Sequence, residues 1–342
     1  DDTATNLKLG RIMKMKNHTM NMQRLLSLVV VAAVFAASCG TGKAGPEISD
    51  AHLRGELIAF SSDRDGDWEI FSMAPDGSNV RQVTQNMSYD WAPSWSPDGQ
   101  RLSFTSDYLD GEISVLREEI DGAFVDTTIE ISGDREIYII NADGTGRTRI
   151  TDNETITDGN PSWSPDGETI AFHSDAAGFD ATDIYLVSVD GSDVRALTAL
   201  GGVNWDPDWS PDGNKISFSS LLSEWLIYTT NADGTGLTFL EAAGSGWKPS
   251  WAPSGDQIAY ASNRNGNWDI YLSDDTGDNS RQLTTSSADE NEPVWSPSGD
   301  RIAFSSNFRG RPEILIIDIE SGQIHQTGQV GFPSDWTKVQ RD

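Results

Sequence analysis

Cysteine occurs once in 342 residues, as Cys39, so no disulfide can form within the chain. Histidine is nearly as scarce, with four in all, and His52, His173 and His325 lie too far apart for the paired spacing of a metal site. Basic residues number 24 against 53 acidic ones, a formal net charge of −29. Such a surface repels phosphate backbones and anionic headgroups, which excludes nucleic acid and a charge-driven hold on membrane. No Gly-x-Ser-x-Gly elbow, catalytic triad, metal cluster or phosphate-binding loop occurs, so the sequence points to no enzyme and no cofactor. The segment Asp63-Arg-Asp65-Gly-Asp67 looks like the start of a calcium loop, but no glutamate stands at loop position twelve. Its counterpart Asn263-Arg-Asn265-Gly-Asn267 marks both as hairpin turns. Long apolar runs are missing too, apart from residues 25–37.

That one run follows Lys14, Lys16 and Arg24 and leads into Ala36-Ala37-Ser38-Cys39. At 13 residues it is too short to cross a bilayer comfortably and has the order of a secretory signal. Cys39 after small residues resembles the lipobox of bacterial lipoproteins, which implies removal of residues 1–38 and a lipid anchor on Cys39. The expected product is an exported protein held by lipid alone, on the outer membrane and facing the periplasm or the cell surface. Processing there would leave 19 basic against 51 acidic residues, a net charge of −32.

What the chain has in abundance is tryptophan, 12 in all, and the spacing of six of them is regular. Trp95-Ser-Pro-Asp-Gly99 recurs at Trp163 and Trp209, and in varied form as Trp251-Ala-Pro-Ser-Gly255 and Trp295-Ser-Pro-Ser-Gly299, with a bare Trp336 at the end. The intervals of 68, 46, 42, 44 and 41 residues match the period of four-stranded propeller blades. Each motif precedes an apolar triplet such as Ile170-Ala-Phe172, and one further triplet, Ile58-Ala-Phe60, precedes all the motifs. Trp336 is therefore a first strand without its blade, and residues 55–90 are a blade without its first strand. The two ends complete one another, which predicts an all-β, six-bladed β-propeller over residues 55–342, after a linker at 39–54.

The run Pro-Ser-Trp-Ser-Pro-Asp-Gly, Ile-Ala-Phe, Ser-Asp-Arg-x-Gly-x-Trp-Glu-Ile, Asp-Gly and Leu-Thr resembles the TolB-type (WD-like) propeller repeat over about residues 55–336. In that family the propeller protein works in the periplasm with an outer-membrane lipoprotein, so the resemblance implies an envelope protein as partner. Only 15 residues, 40–54, separate Cys39 from the first blade, so the family's leading α/β domain is not expected between them.

Comparing blades with one another separates scaffold from site. An acid before the third-strand isoleucine (Glu69, Glu136, Asp183, Asp269, Glu313) recurs in five blades and reads as structural. The second blade carries 22–27 extra residues, about 107–136, whose alternation around Asp121-Gly122 predicts a projecting hairpin. Four residues before the motif tryptophan stand Trp91, Trp205, Trp247 and Phe332, against Gly159 and Asn291 elsewhere. They are expected in the connections between blades, on the face shared with the insertion, around the channel mouth. Asp90, Asp206, Lys248 and Glu292 are their expected polar neighbours, and His173, which interrupts a series of small residues, is read as structural or as a possible site residue. The reading is a non-enzymatic, lipid-anchored propeller that binds an envelope protein through this mouth. The alternative is a polysaccharide, bound or cleaved by rim aromatics with Asp90, Asp206 and Glu292 as acid and base.

Overall fold

The computed structural model describes residues 55–107, 113–120, 123–130, 134–153, 156–178, 181–240 and 244–339, with 113–120 and 123–130 as backbone only. The expected signal segment, Cys39 and the expected linker to residue 54 lie outside the described residues.

The first blade holds β1 (Gly55–Ser62), β2 (Glu69–Met73) and β3 (Arg81–Gln82), and its inner strand is β26 (Phe332–Val339) from the far end of the chain. The ring closes as the sequence implies, with Gly55 opposite Val339 and Ser61 opposite Phe332. The second blade runs β4 (Asp90–Trp95), β5 (Arg101–Ser106), β8 (Glu136–Asn141), β9 (Thr148–Arg149). Between its middle strands, β6 (Ile113–Ile120) and β7 (Ala123–Glu130) pair as a separate antiparallel hairpin, where the insertion predicts one. The third blade spans β10 (Asp158–Trp163) to β13 (Arg195–Ala196), and the fourth β14 (Val203–Trp209) to β17 (Thr238–Phe239). The fifth spans β18 (Trp247–Trp251) to β21 (Arg281–Gln282), and the sixth β22 (Glu290–Trp295) to β25 (Ile324–Val330). Among the described residues there is no helix.

The apolar triplet explains how blades stack. Alternation sends the two large residues to one face of the sheet and the small one to the other. Ala59 of the first blade packs on Leu102 and Phe104 of the second. Ala171 likewise meets Ile216 and Phe218, and Ala303 meets Ile58 and Phe60 across the closing seam. Each fully buried phenylalanine, such as Phe104 or Phe218, contributes about 2–3 kcal/mol of transfer free energy.

Outer strands are shorter than the sequence implies, two residues in five of the blades. Gln82 ends its strand, and Thr84 substitutes for the ladder by side chain. Its hydroxyl accepts the Ile70 N–H at 2.9 Å and donates to Glu69 at 2.5 Å. Thr151 with Glu136 and Thr198 with Asp183 repeat this clip, so those acids are structural, as their recurrence indicates.

Candidate functional site

The inner strands begin earlier than expected, and the reason is a repeated bulge. Three residues before the motif tryptophan, Ala92, Asn160, Asp206, Lys248 and Glu292 all adopt left-handed backbone, with φ between 51° and 55°. Each is followed by proline, and the register slips there, as between Trp91 and Ser94. Non-glycine residues enter this region at a cost, so five aligned cases mark a conformation that the surroundings impose. The bulge turns a backbone N–H towards the preceding blade. Ala92 N donates to Ser61 at 3.0 Å, Asn160 N to Thr105 at 2.9 Å and Lys248 N to Ser219 at 2.8 Å. Pro333 has no N–H to give, and there Ser305 donates instead to the Glu292 carboxylate at 3.0 Å.

These bulges form the wall of a central channel. Six prolines line it, Pro93, Pro161, Pro207, Pro249, Pro293 and Pro333. Its charged lining is four acids, Asp206, Asp208, Glu292 and Asp335, and one base, Lys248. Lys248 Nζ lies 3.2 Å from Asp206, which also accepts from the Asn160 amide. Burial works against the Lys248 charge, yet Asp206 and Glu292 hold its ammonium above the ordinary value. Burial pushes Glu292 up against the pull of Lys248. Deeper in, burial and repulsion from Asp335 raise Asp208 to about 7, while burial raises Asp335 to about 6. Both still accept inter-blade N–H groups, Asp208 from Trp251 at 2.7 Å and Asp335 from Trp95 at 2.6 Å.

Beside the channel, on the side where inner strands begin, runs a belt of rings. His173, Trp205, Trp225, Trp247 and Trp268 follow one another at centroid spacings of 5.7, 5.5, 5.9 and 6.0 Å. Phe332 stacks on Trp68 at 5.6 Å, and the Arg135 guanidinium lies 4.7 Å above Trp91. Trp247 Nε1 donates to Asn291 at 3.1 Å. Apart from His173–Trp205, in which His173 stands on a second strand, each pair joins the start of an inner strand to the entry of a third strand. Arg135, beside Trp91, directly precedes β8.

His173 takes the place of the hydroxyls that clip the bulges elsewhere. It is buried, and that burial pushes its imidazole down to about 4, leaving it neutral near pH 7. Gly159 makes the room, since a Cβ there would sit 2.7 Å from His173 Cε1. Gly159→Ala should therefore cost about 1–3 kcal/mol. His173→Ser, which restores the small residue of other blades, should recover most of that loss in a thermal-denaturation double-mutant cycle. Simple addition of the two losses would show that the ring does not need the glycine.

Asp206, Lys248 and Glu292 thus meet at the channel, while Trp91, Trp205, Trp247 and Phe332 stand on the inner strands and not in the connections. They pack within and between blades rather than lining the channel. Asp90 is a correction. It is fully buried between strands, accepting from Ser106 at 2.5 Å and Asn86 at 2.8 Å, and so is no rim residue. Sequence reasoning passed over Trp68, Trp225, Trp268 and Arg135. Trp68, Trp268 and Arg135 directly precede the structural acids Glu69, Asp269 and Glu136, and that shared position was the available signal.

Comparison with known proteins agrees with this geometry. The family described as TolB beta propeller domain matches residues 119–254 and 235–337. A Protein TolB homolog of Chlorobium luteolum is 39% identical over 252 residues, covering 67% of this chain and 57% of that protein. A Tol-Pal system protein TolB of Desulfosudis oleivorans is 32% identical over 114 residues, covering 28% of this chain and 26% of that protein. This chain therefore spans well under two thirds of these relatives. The crystal structure of TolB from Acinetobacter baumannii superposes with a TM-score of 0.66 at 19% identity, covering 84% of this chain and 67% of that one. Closed ring, repeat and relatives agree, and the chain belongs to the TolB β-propeller family.

Proposed function

We propose that this protein binds a protein partner in the cell envelope through the face that carries the channel mouth, the ring belt and the hairpin. The observation that carries this reading is the concentration of departures from six-fold regularity on that one face. The insertion, the Lys248 group and His173 all belong to it, while the opposite face repeats short glycine turns, Pro-Asp-Gly or Pro-Ser-Gly in one series and Asp-Gly, Thr-Gly or Ser-Gly in the other. Partly exposed tryptophans are favoured at protein interfaces, where one large ring removes much area from water. Relatives named for the Tol-Pal system support a partner of the envelope. Export by the signal at 1–38 and lipid attachment at Cys39 belong to the same reading.

A polysaccharide ligand draws less support. The belt rings engage one another, and Asp90, one of the acids such chemistry calls on, is enclosed in the second blade.

Crosslinking in intact cells that express the tagged protein tests the reading, with the captured protein identified by mass spectrometry. Deletion of 108–135, or Trp205→Ala with Trp247→Ala, should reduce capture at least about tenfold, as loss of a ~1.4 kcal/mol contact implies. Undiminished capture by both variants, with melting unchanged, would remove this face from the interaction.

A further inference from the structure

Within that docking face the channel has chemistry of its own, and a guest in it presupposes the proposed partner binding. Its charged lining is four carboxyl groups against one ammonium. The acids sit in a confined space, where burial pushes Glu292, Asp208 and Asp335 towards their protonated forms. A second, independent observation points to a guest. Asp206 is 5% exposed and lines the channel, and its Oδ2 has no hydrogen-bond partner among the described residues. A buried acceptor left unmatched is costly, and carboxylate oxygens are rarely left so.

We propose that the channel receives a basic side chain of the protein partner, arginine or lysine, whose cationic head reaches Asp206 and Glu292 while its stem lies along the proline wall. Four considerations select this guest. A guanidinium or ammonium only donates, and the unmatched atom only accepts. Proline rings present CH surface and no N–H, which suits methylene stems that bury readily when the charged head finds acceptors. A bare metal ion fits poorly, because among the described residues no three acid, histidine or cysteine side chains stand close enough to share one. An anionic guest would have to approach Lys248 past Asp206 and Glu292, which flank it.

The test uses the full chain and two capped pentapeptides, Gly-Gly-Arg-Gly-Gly and the same sequence with citrulline for arginine, titrated calorimetrically. Citrulline keeps the shape and loses the charge. The arginine peptide should bind and the citrulline peptide should bind about tenfold more weakly or not at all. Asp206→Asn and Glu292→Gln should each weaken the arginine peptide about tenfold. Asparagine tolerates the left-handed backbone at 206, so folding should survive, with thermal melts as the check. Equal binding of both peptides, or none by either, overturns the proposal. Spermidine binding as tightly as the arginine peptide would assign the site to free amines and also overturn it. Calcium chloride binding alone, without response to the arginine peptide, would do the same. The docking face fails separately. Capture lost in Trp205→Ala with Trp247→Ala but intact in Asp206→Asn and Glu292→Gln would keep the face and remove the basic side chain.

Discussion

Trp336→Ala is expected to lower the stability of the propeller by about 3–5 kcal/mol, the range for truncating a buried tryptophan. The side chain is 5% exposed and lies among Ile58, Phe60, Phe71 and Met73 of the first blade and Val294, Ala303, Ile314 and Ile316 of the sixth. The Arg301 guanidinium covers its ring at 4.9 Å, adding a cation–π contact. The substitution thus opens a cavity at the one seam where the chain ends meet. Trp209→Ala provides the control, because that ring occupies the same repeat position but is only partly buried against its cluster. It should cost visibly less in urea denaturation. Ending the chain at Gly331 should do more than either variant, since it strips β1 of its inner partner and removes the Asp335 carboxylate that receives Trp95 N–H. Loss of a cooperative transition is the expected result. A truncated chain that melts like the whole one would show that ring closure does not stabilise this fold.

Mild acid should stabilise this protein. Burial raises Asp208, Asp158 and Glu69 to about 7 and Asp335 and Asp269 to about 6. An acid with a raised folded value takes up its proton on folding, so its stabilising contribution is complete below the unfolded value near 4 and is lost as pH rises to 6 or 7. His173 opposes this. Its value is pushed down to about 4, so its contribution is present above about 6.5 and is lost as pH falls through 4. Five carboxyls outweigh one imidazole between pH 4 and 7. Below that window the turn acids reverse the trend, as with Asp212, which hydrogen bonds from Ser210 and Asn214 hold at about 2. Each net proton taken up is worth about 1.4 kcal/mol per pH unit, and each kcal/mol moves Tm by about 2–4 °C in a domain of this size. The Tm should therefore be several degrees higher at pH 5 than at pH 8. Asp208→Asn keeps an acceptor for Trp251 N–H and removes the charge facing Asp335. It should raise Tm at pH 8 and leave it unchanged at pH 5. A flat profile between pH 5 and 8, or an equal effect of the variant at both, would show these carboxyls to be ionised without cost.

The architecture was legible because a propeller writes itself as a period. Trp95, Trp163, Trp209, Trp251, Trp295 and Trp336 recur at intervals that only stacked blades require, and the orphan triplet at Ile58 disclosed the closure. The hairpin was legible from the long second interval. The start of each inner strand was not, because proline before the motif reads as a strand breaker. The bulge tolerates it by placing proline where no ladder bond is needed. Asp90 was misplaced for the same reason, lying one residue beyond the apparent strand. Nor could the pairing of Trp225 with Trp205 in its own blade and with Trp247 in the next be read, since these contacts follow no fixed spacing along the chain.

The shared sheet of the two chain ends also sets a timetable. As the polypeptide is made, blades two to six can stack in turn, each on the one before. The first blade cannot, because its inner strand β26 is the last to emerge. Until then β1 presents a bare row of backbone donors and acceptors, the template on which strands of other molecules add. The chain is thus most open to misassociation between the birth of its first strand and that of its last. A holding factor that protects it would be expected to grip the edge of β1 and to be displaced by β26.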